Sequence, residues 1–140
     1  MKPKNKVFVA KSAFLAFIDR ANPKHTQAVA YFNYLASEKY QLYTGYNTIL
    51  ETYKIVSDDI SQALARDFLR AINLGAINVI FPTEADLKAA IKALTSSNSR
   101  DLTLNDAQME VLAYRNNIQQ IFTFNYLPSL FGLTPFSLPI

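Results

Sequence analysis

The hydrophobic pattern opens with Val7 to Val9, an unbroken apolar run of the kind that makes a strand buried on both faces. Phe14, Leu15, Phe17 and Ile18 then recur at helical spacing, with Ser12 in the place of an N-cap residue. Asn22-Pro23 is a turn signal, and Ala28, Val29, Phe32 and Leu35 mark a second helix between Lys24 and Lys39. Tyr40 to Thr44 reads as a second strand punctuated by Gly45, after which Ile49, Tyr53 and Val56 return to the helical period. Asp58-Asp59 predict the start of a further helix, because acidic side chains suit the positive end of the helix dipole, and Gly75 predicts its close.

Asn78 to Phe81 is a third strand stopped by Pro82. Thr83 to Leu94 is helical, with Leu87, Ile91 and Leu94 on one side, and the polar run Thr95 to Arg100 is a loop. Thr103 to Tyr114 is a further helix, Ile121 to Phe124 a fourth strand, and Leu133 to Leu138 a candidate fifth. Strands alternating with helices predict the α/β class: a three-layer α/β/α sandwich with a mostly parallel four- or five-stranded sheet and right-handed crossovers. No repeat, low-complexity block or linker interrupts the pattern, so the 140 residues read as a single domain, 1–140.

Composition narrows the chemistry. Half the residues are hydrophobic and 18% are charged, which excludes a disordered chain. The absence of cysteine removes disulfides, thiolate metal sites and a cysteine nucleophile, and fits a reducing compartment. The N-terminus is basic and then apolar, but Lys11 splits the apolar run, whose parts fall short of the roughly 20 residues of a membrane span. The expectation is a cytoplasmic protein without membrane association. Fourteen basic residues against 11 acidic ones give a net charge of +3, and only Lys2, Lys4 and Lys6 cluster. That balance permits nucleic-acid binding without requiring it.

Two acids stand out from solvated surface charge. Glu51 lies among Ile49, Leu50, Tyr53 and Ile55, and Asp106 lies near the start of an apolar helix after a polar loop. Both fall near expected helix N-termini, which cluster beside the strand carboxyl ends where ligands of open α/β sheets bind. Two carboxylates converging there suit Mg²⁺, which takes one or two carboxylates and keeps several waters, and metal-assisted phosphodiester hydrolysis is the matching reaction. The competing account is local: Thr48 to Glu51 and, more weakly, Thr103 to Asp106 have the spacing of capping boxes.

The segments VFVAKSA, LETYKIV, DLTLNDA and TFNYL, with FIDRANPKHTQAV between the first two, resemble in order and spacing those of PIN domains, in particular the small VapC-type toxin nucleases. The resemblance spans nearly the whole chain. It implies acids gathered at the carboxyl edge of the sheet to hold Mg²⁺ or Mn²⁺, which activates water against an RNA phosphodiester. It also implies an antitoxin-like protein partner and a homodimer. Position by position, Glu51 and Asp106 match two of the family's four acids, and Asp101 matches a further acid of the same loop. The first family Asp falls on Ala10, its neighbouring Thr on Lys11, and the late Asp on Asn125.

The resemblance therefore implies a metal site stripped of two carboxylates and provided with an ammonium. An ammonium about 4 Å from a divalent ion is repelled by roughly 8 kcal/mol at an effective dielectric near 20. Lys11 is accordingly expected to pair with Glu51 or Asp106, or else to point into solvent. Ala10 is either natural or an engineered silencing change, and natural divergence explains Lys11 and Asn125 as well. No resident cofactor is expected, with Mg²⁺ or Mn²⁺ at Glu51 and Asp106 only if the centre still functions.

Among the remaining candidates, His25 is the only histidine and reads as a connection or early-helix residue, and Ser12 as a cap rather than a nucleophile. Tyr31, Tyr34, Tyr40, Tyr43, Tyr46 and Tyr53 read as core and rim packing, with base stacking or an oligomer surface as the functional alternative. Tyr46, Tyr53 and Val56 are candidates to line a groove for a partner helix. The leading functional expectation is a PIN-like domain with a degenerate centre, retained to bind RNA or a protein. The alternatives are a working endoribonuclease using Glu51, Asp106 and Asp101, and an interaction domain without nucleic acid.

Overall fold

The computed structural model describes residues 5–125, 128 and 131–138. Its elements run β1 (Lys6–Val9), α1 (Lys11–Ile18), α2 (His25–Ser37), β2 (Gln41–Gly45), α3 (Tyr46–Asp59), α4 (Gln62–Asn73), β3 (Asn78–Ile80), α5 (Glu84–Thr95), α6 (Leu104–Arg115), β4 (Gln120–Phe122) and β5 (Thr134–Pro135). The five strands form one sheet in the order β3-β2-β1-β4-β5. Every pairing in it is parallel.

Because successive side chains of a strand face opposite ways, β1 feeds two cores. Val7 and Val9 pack with Phe122, with Ala13, Phe14 and Ala16 of α1, and with Phe68 of α4. Phe8 faces the other way with Ile121 and with Met109, Leu112 and Ala113 of α6. α5 lies behind α6, sharing Ala90, Ala107 and Val111. This sandwiched position explains why α6 is buried continuously from Ala107 to Ala113 and shows no single apolar stripe.

Three local expectations are corrected. Asp58-Asp59 end α3 rather than begin the next helix, whose N-cap is Ser61, its Oγ accepting from the Leu64 N–H at 3.2 Å. A serine cap supplies a fixed acceptor for an unpaired N–H, whereas acidic side chains offer only a favourable field. Ser12 does not cap α1: Ala10 holds that position without a side-chain hydrogen bond. β3, β4 and β5 are shorter than the apolar runs suggest, with Phe81, Thr123 and Phe124 beyond the ladder and only Thr134–Pro135 paired from the last segment. Gly75 does follow the end of α4, at φ +85°, the left-handed region where glycine carries no Cβ penalty.

The strand order reverses direction between β1 and β4, so the carboxyl ends of these two neighbours form the switch point of the sheet. A crevice outside the carboxyl ends at such a point is the usual ligand site of an open α/β sheet. Ala10, Lys11 and Ser12 leave β1 there, and Thr123, Phe124 and Asn125 leave β4 beside them.

Candidate functional site

The floor of the site is a backbone and hydroxyl lattice that ties the two strand ends together. The Ala10 N–H donates to the Phe122 carbonyl at 3.0 Å, prolonging the ladder by one residue. Ser12 Oγ accepts from the Phe124 N–H at 2.9 Å and lies 2.9 Å from Thr123 Oγ1, which accepts in turn from the Asn125 N–H at 3.2 Å. The serine that sequence spacing places as a cap thus acts across 112 positions of chain to hold the turn after β4. Thr123 was legible only as part of the TFNYL segment; nothing local marks it as the partner of Ser12.

Lys11 occupies the first turn of α1, where no acidic residue offsets its charge against the helix dipole. Its Nζ reaches α3 and forms an ion pair with Glu51 Oε1. The two side chains retain 33% and 37% of their exposure, so this is a half-buried contact open to solvent on one side. The capping box expected for Glu51 is not formed, because α3 begins at Tyr46 with Gly45 as its N-cap and leaves Glu51 in the second turn.

Asp106 behaves differently. Its Oδ2 accepts from the Thr103 N–H at 3.1 Å while its own N–H donates to Thr103 Oγ1 at 3.1 Å, a complete capping box at the start of α6. Asp101 is exposed in the preceding loop, its N–H donating to Ser99 Oγ at 3.3 Å, and the buried Leu102 anchors that loop. Asn125 is exposed beyond the turn of β4. Ala10 is buried and presents only a methyl group at the end of β1.

Two of the four positions where the resemblance implies a carboxylate carry none, and the two acids that remain already have partners. Glu51 already carries an ammonium partner, and Asp106 shares its carboxylate with a helix cap. Asn125 adds no negative charge, and Ala10 no donor. Among the described residues, no three of His, Cys, Asp and Glu converge as ligands.

Comparison with known proteins places this geometry. The family model for the PIN domain matches residues 7–126. The chain belongs to the PIN domain family. Among solved structures, this PIN domain is similar to Mycobacterium tuberculosis VapC20, described as a sarcin-ricin loop cleaving toxin. The TM-score is 0.75 and the identity 21%, over 85% of this chain and 89% of that one. It is also similar to VapBC2 from Rickettsia felis, solved with a DNA fragment from its promoter. There the TM-score is 0.65 and the identity 14%, over 86% and 87% of the two chains. No curated protein matches.

Other expected residues fall as follows. His25 is the first residue of α2, its Nδ1 lying 2.9 Å from the Ala16 carbonyl, a structural tie between α1 and α2. Tyr31, Tyr34 and Tyr40 belong to an aromatic cluster with Phe122 and Phe136, so these three are packing residues. Val56 is fully buried and is unavailable to a partner helix. Tyr46 is exposed, as a contact residue requires. Among the described residues, no helix is long and apolar enough to cross a membrane.

Proposed function

We propose that this protein is a VapC-like PIN domain with a degenerate metal centre, retained to bind single-stranded RNA at the carboxyl edge of its sheet. The observation that carries the reading is the Lys11–Glu51 ion pair: a tethered cation already satisfies the carboxylate that a divalent ion would need. Ala10 and Asn125 remove the charge of two further acids, so the four formal negative charges of the family centre fall to two. Asp101, exposed in its loop, is at most an outer participant. In this reading Lys11 contributes the positive charge and no resident cofactor is required.

A protein partner and self-association belong to the same proposal. The Rickettsia felis relative is a VapBC pair, and this chain is expected to meet an antitoxin-like protein and to form a homodimer in the cytoplasm. RNA is placed first because the basic excess favours a polyanion. Binding to phosphates would show a steep fall of affinity with salt, which a purely protein-binding domain would not share.

The test combines calorimetric titration with Mg²⁺ and Mn²⁺ and incubation with structured and single-stranded RNA. The wild type is expected to bind RNA salt-dependently, to give no saturable metal signal and to leave RNA intact. The triple variant Ala10→Asp, Lys11→Thr, Asn125→Asp is expected to gain both metal binding and cleavage. Wild-type cleavage abolished by Glu51→Gln would overturn the reading in favour of an endoribonuclease working through Glu51 and Asp106.

A further inference from the structure

We propose that Tyr46 and Phe81 form a stacking platform for an unpaired nucleobase, one step along the sheet edge from the Lys11–Glu51 pair. This rests on the RNA-binding reading above and names the part of the ligand that the pair takes. The two rings stack with centroids 5.2 Å apart and planes 29° from parallel. Both are open to solvent, Tyr46 at 41% and Phe81 at 64% relative exposure.

Their juxtaposition follows from sheet register. β2 and β3 pair in parallel with Gly45 opposite Ile80, so Tyr46 and Phe81 are the first residues beyond the ends of two adjacent strands. The spacing of neighbouring strands, about 4.8 Å, carries over into the ring separation. Gly45 fixes the base of this arrangement, since a Cβ there would stand 3.0 Å from Leu112 Cδ1. The backbone beneath Tyr46 is therefore packed hard against α6, which presents the rings from a rigid support.

Position and charge favour a base over an apolar side chain of a partner. The rings offer a flat π surface, to which any base can stack irrespective of sequence. They stand at the carboxyl edge, and a rise of 1.5 Å per residue puts Glu51 only about 7.5 Å further along the α3 axis. Glu51 and Glu84 each have a lysine partner, Lys11 and Lys88, which lowers the repulsion that an approaching phosphate chain meets from these two carboxylates.

The experiment uses the full chain and a short single-stranded RNA carrying 2-aminopurine, whose fluorescence is quenched on stacking. Wild-type protein is expected to bind and quench it, while Tyr46→Leu/Phe81→Leu loses the quenching and weakens binding about ten- to hundredfold. Circular dichroism checks folding, and Phe81→Leu alone carries the test if the double variant does not fold. Salt-dependent binding with quenching unchanged in the variant overturns the platform and leaves the RNA reading standing. Loss of a dimer on size exclusion with RNA binding unchanged also overturns it, assigning the pair to self-association. A wild type that retains no RNA at low salt overturns both readings.

Discussion

Lys11 of α1 and Glu51 of α3 meet in an ion pair at the carboxyl edge of the sheet. Neither partner is buried enough for their contact to serve as a structural keystone. A half-exposed pair of this kind contributes about 0–1 kcal/mol, and Lys11 is further disfavoured by its place in the first turn of a helix. Lys11→Met is therefore expected to change folding stability by no more than about 1 kcal/mol in urea titration. Its effect is expected instead on RNA affinity, weakened because Glu51 then faces an approaching phosphate chain without its ammonium partner. A loss of several kcal/mol would mean that the pair holds α1 to α3 and is not spared for a ligand.

A stronger electrostatic contribution lies away from the site. Asp86 is buried at the start of α5, where it completes a capping box with Thr83 and receives Arg115 of α6 at 2.9 and 2.8 Å. Burial alone would push its carboxyl up. The Thr83 backbone N–H, the Arg115 guanidinium and the Thr83 hydroxyl outweigh that and hold it below the ordinary aspartate value. A carboxylate whose folded value is depressed stabilises the fold above its unfolded value, near 4, and loses that contribution as pH falls through the folded value. Asp86→Ala is expected to lower stability by about 2 kcal/mol at neutral pH. The deficit should shrink as pH falls from 7 towards and through the depressed folded value, measured as the difference in urea midpoint between wild type and variant along an acid series. A deficit independent of pH would assign the loss to packing.

Gly45 tests the packing under the candidate platform. Its backbone, at φ −93°, is open to any residue, so glycine is required here by space: the added methyl would meet Leu112 Cδ1 at 3.0 Å and Phe8 Cζ at 3.5 Å. Gly45→Ala is expected to destabilise by about 1–3 kcal/mol, the usual cost of overpacking. Trimming the opposing side chain should return part of it. A double-mutant cycle with Leu112→Ala checks this, and additive losses would show that the methyl is accommodated elsewhere.

Sequence period made the architecture legible where a segment has one buried face or two. Val7 to Val9 announced a central strand because both of its faces are covered, and the alternation of strands and helices sufficed for a parallel sandwich. Helix starts were less legible, since they depend on which acceptor a free N–H finds, and Ser12 and Asp58-Asp59 mislead for that reason. At the site, Lys11 was readable as a partner for Glu51 or Asp106, and the packing of α1 beside α3, a contact across 40 positions, decides for Glu51. Phe81 was legible only as the last residue of an apolar strand segment. Its contact with Tyr46 comes from the register of β2 against β3, which spacing along the chain does not encode.

Ser12 offers the most direct test of how the switch point is held. Its hydroxyl oxygen accepts from the Phe124 N–H and lies against Thr123 Oγ1, both at 2.9 Å, just where β4 ends and the chain turns towards Asn125. Ser12→Ala removes the acceptor while leaving the buried surface almost unchanged. A backbone donor left without its partner costs about 1–3 kcal/mol. The loss is local to one strand end, so the expected outcome is faster amide hydrogen exchange at Phe124 and Asn125 with the amides of β1 unaffected. Ser12→Thr retains the hydroxyl and should restore protection at Phe124. Uniform loss of protection across β1 and β4 would instead show that the hydroxyl pair stabilises the whole sheet rather than the turn that carries Asn125.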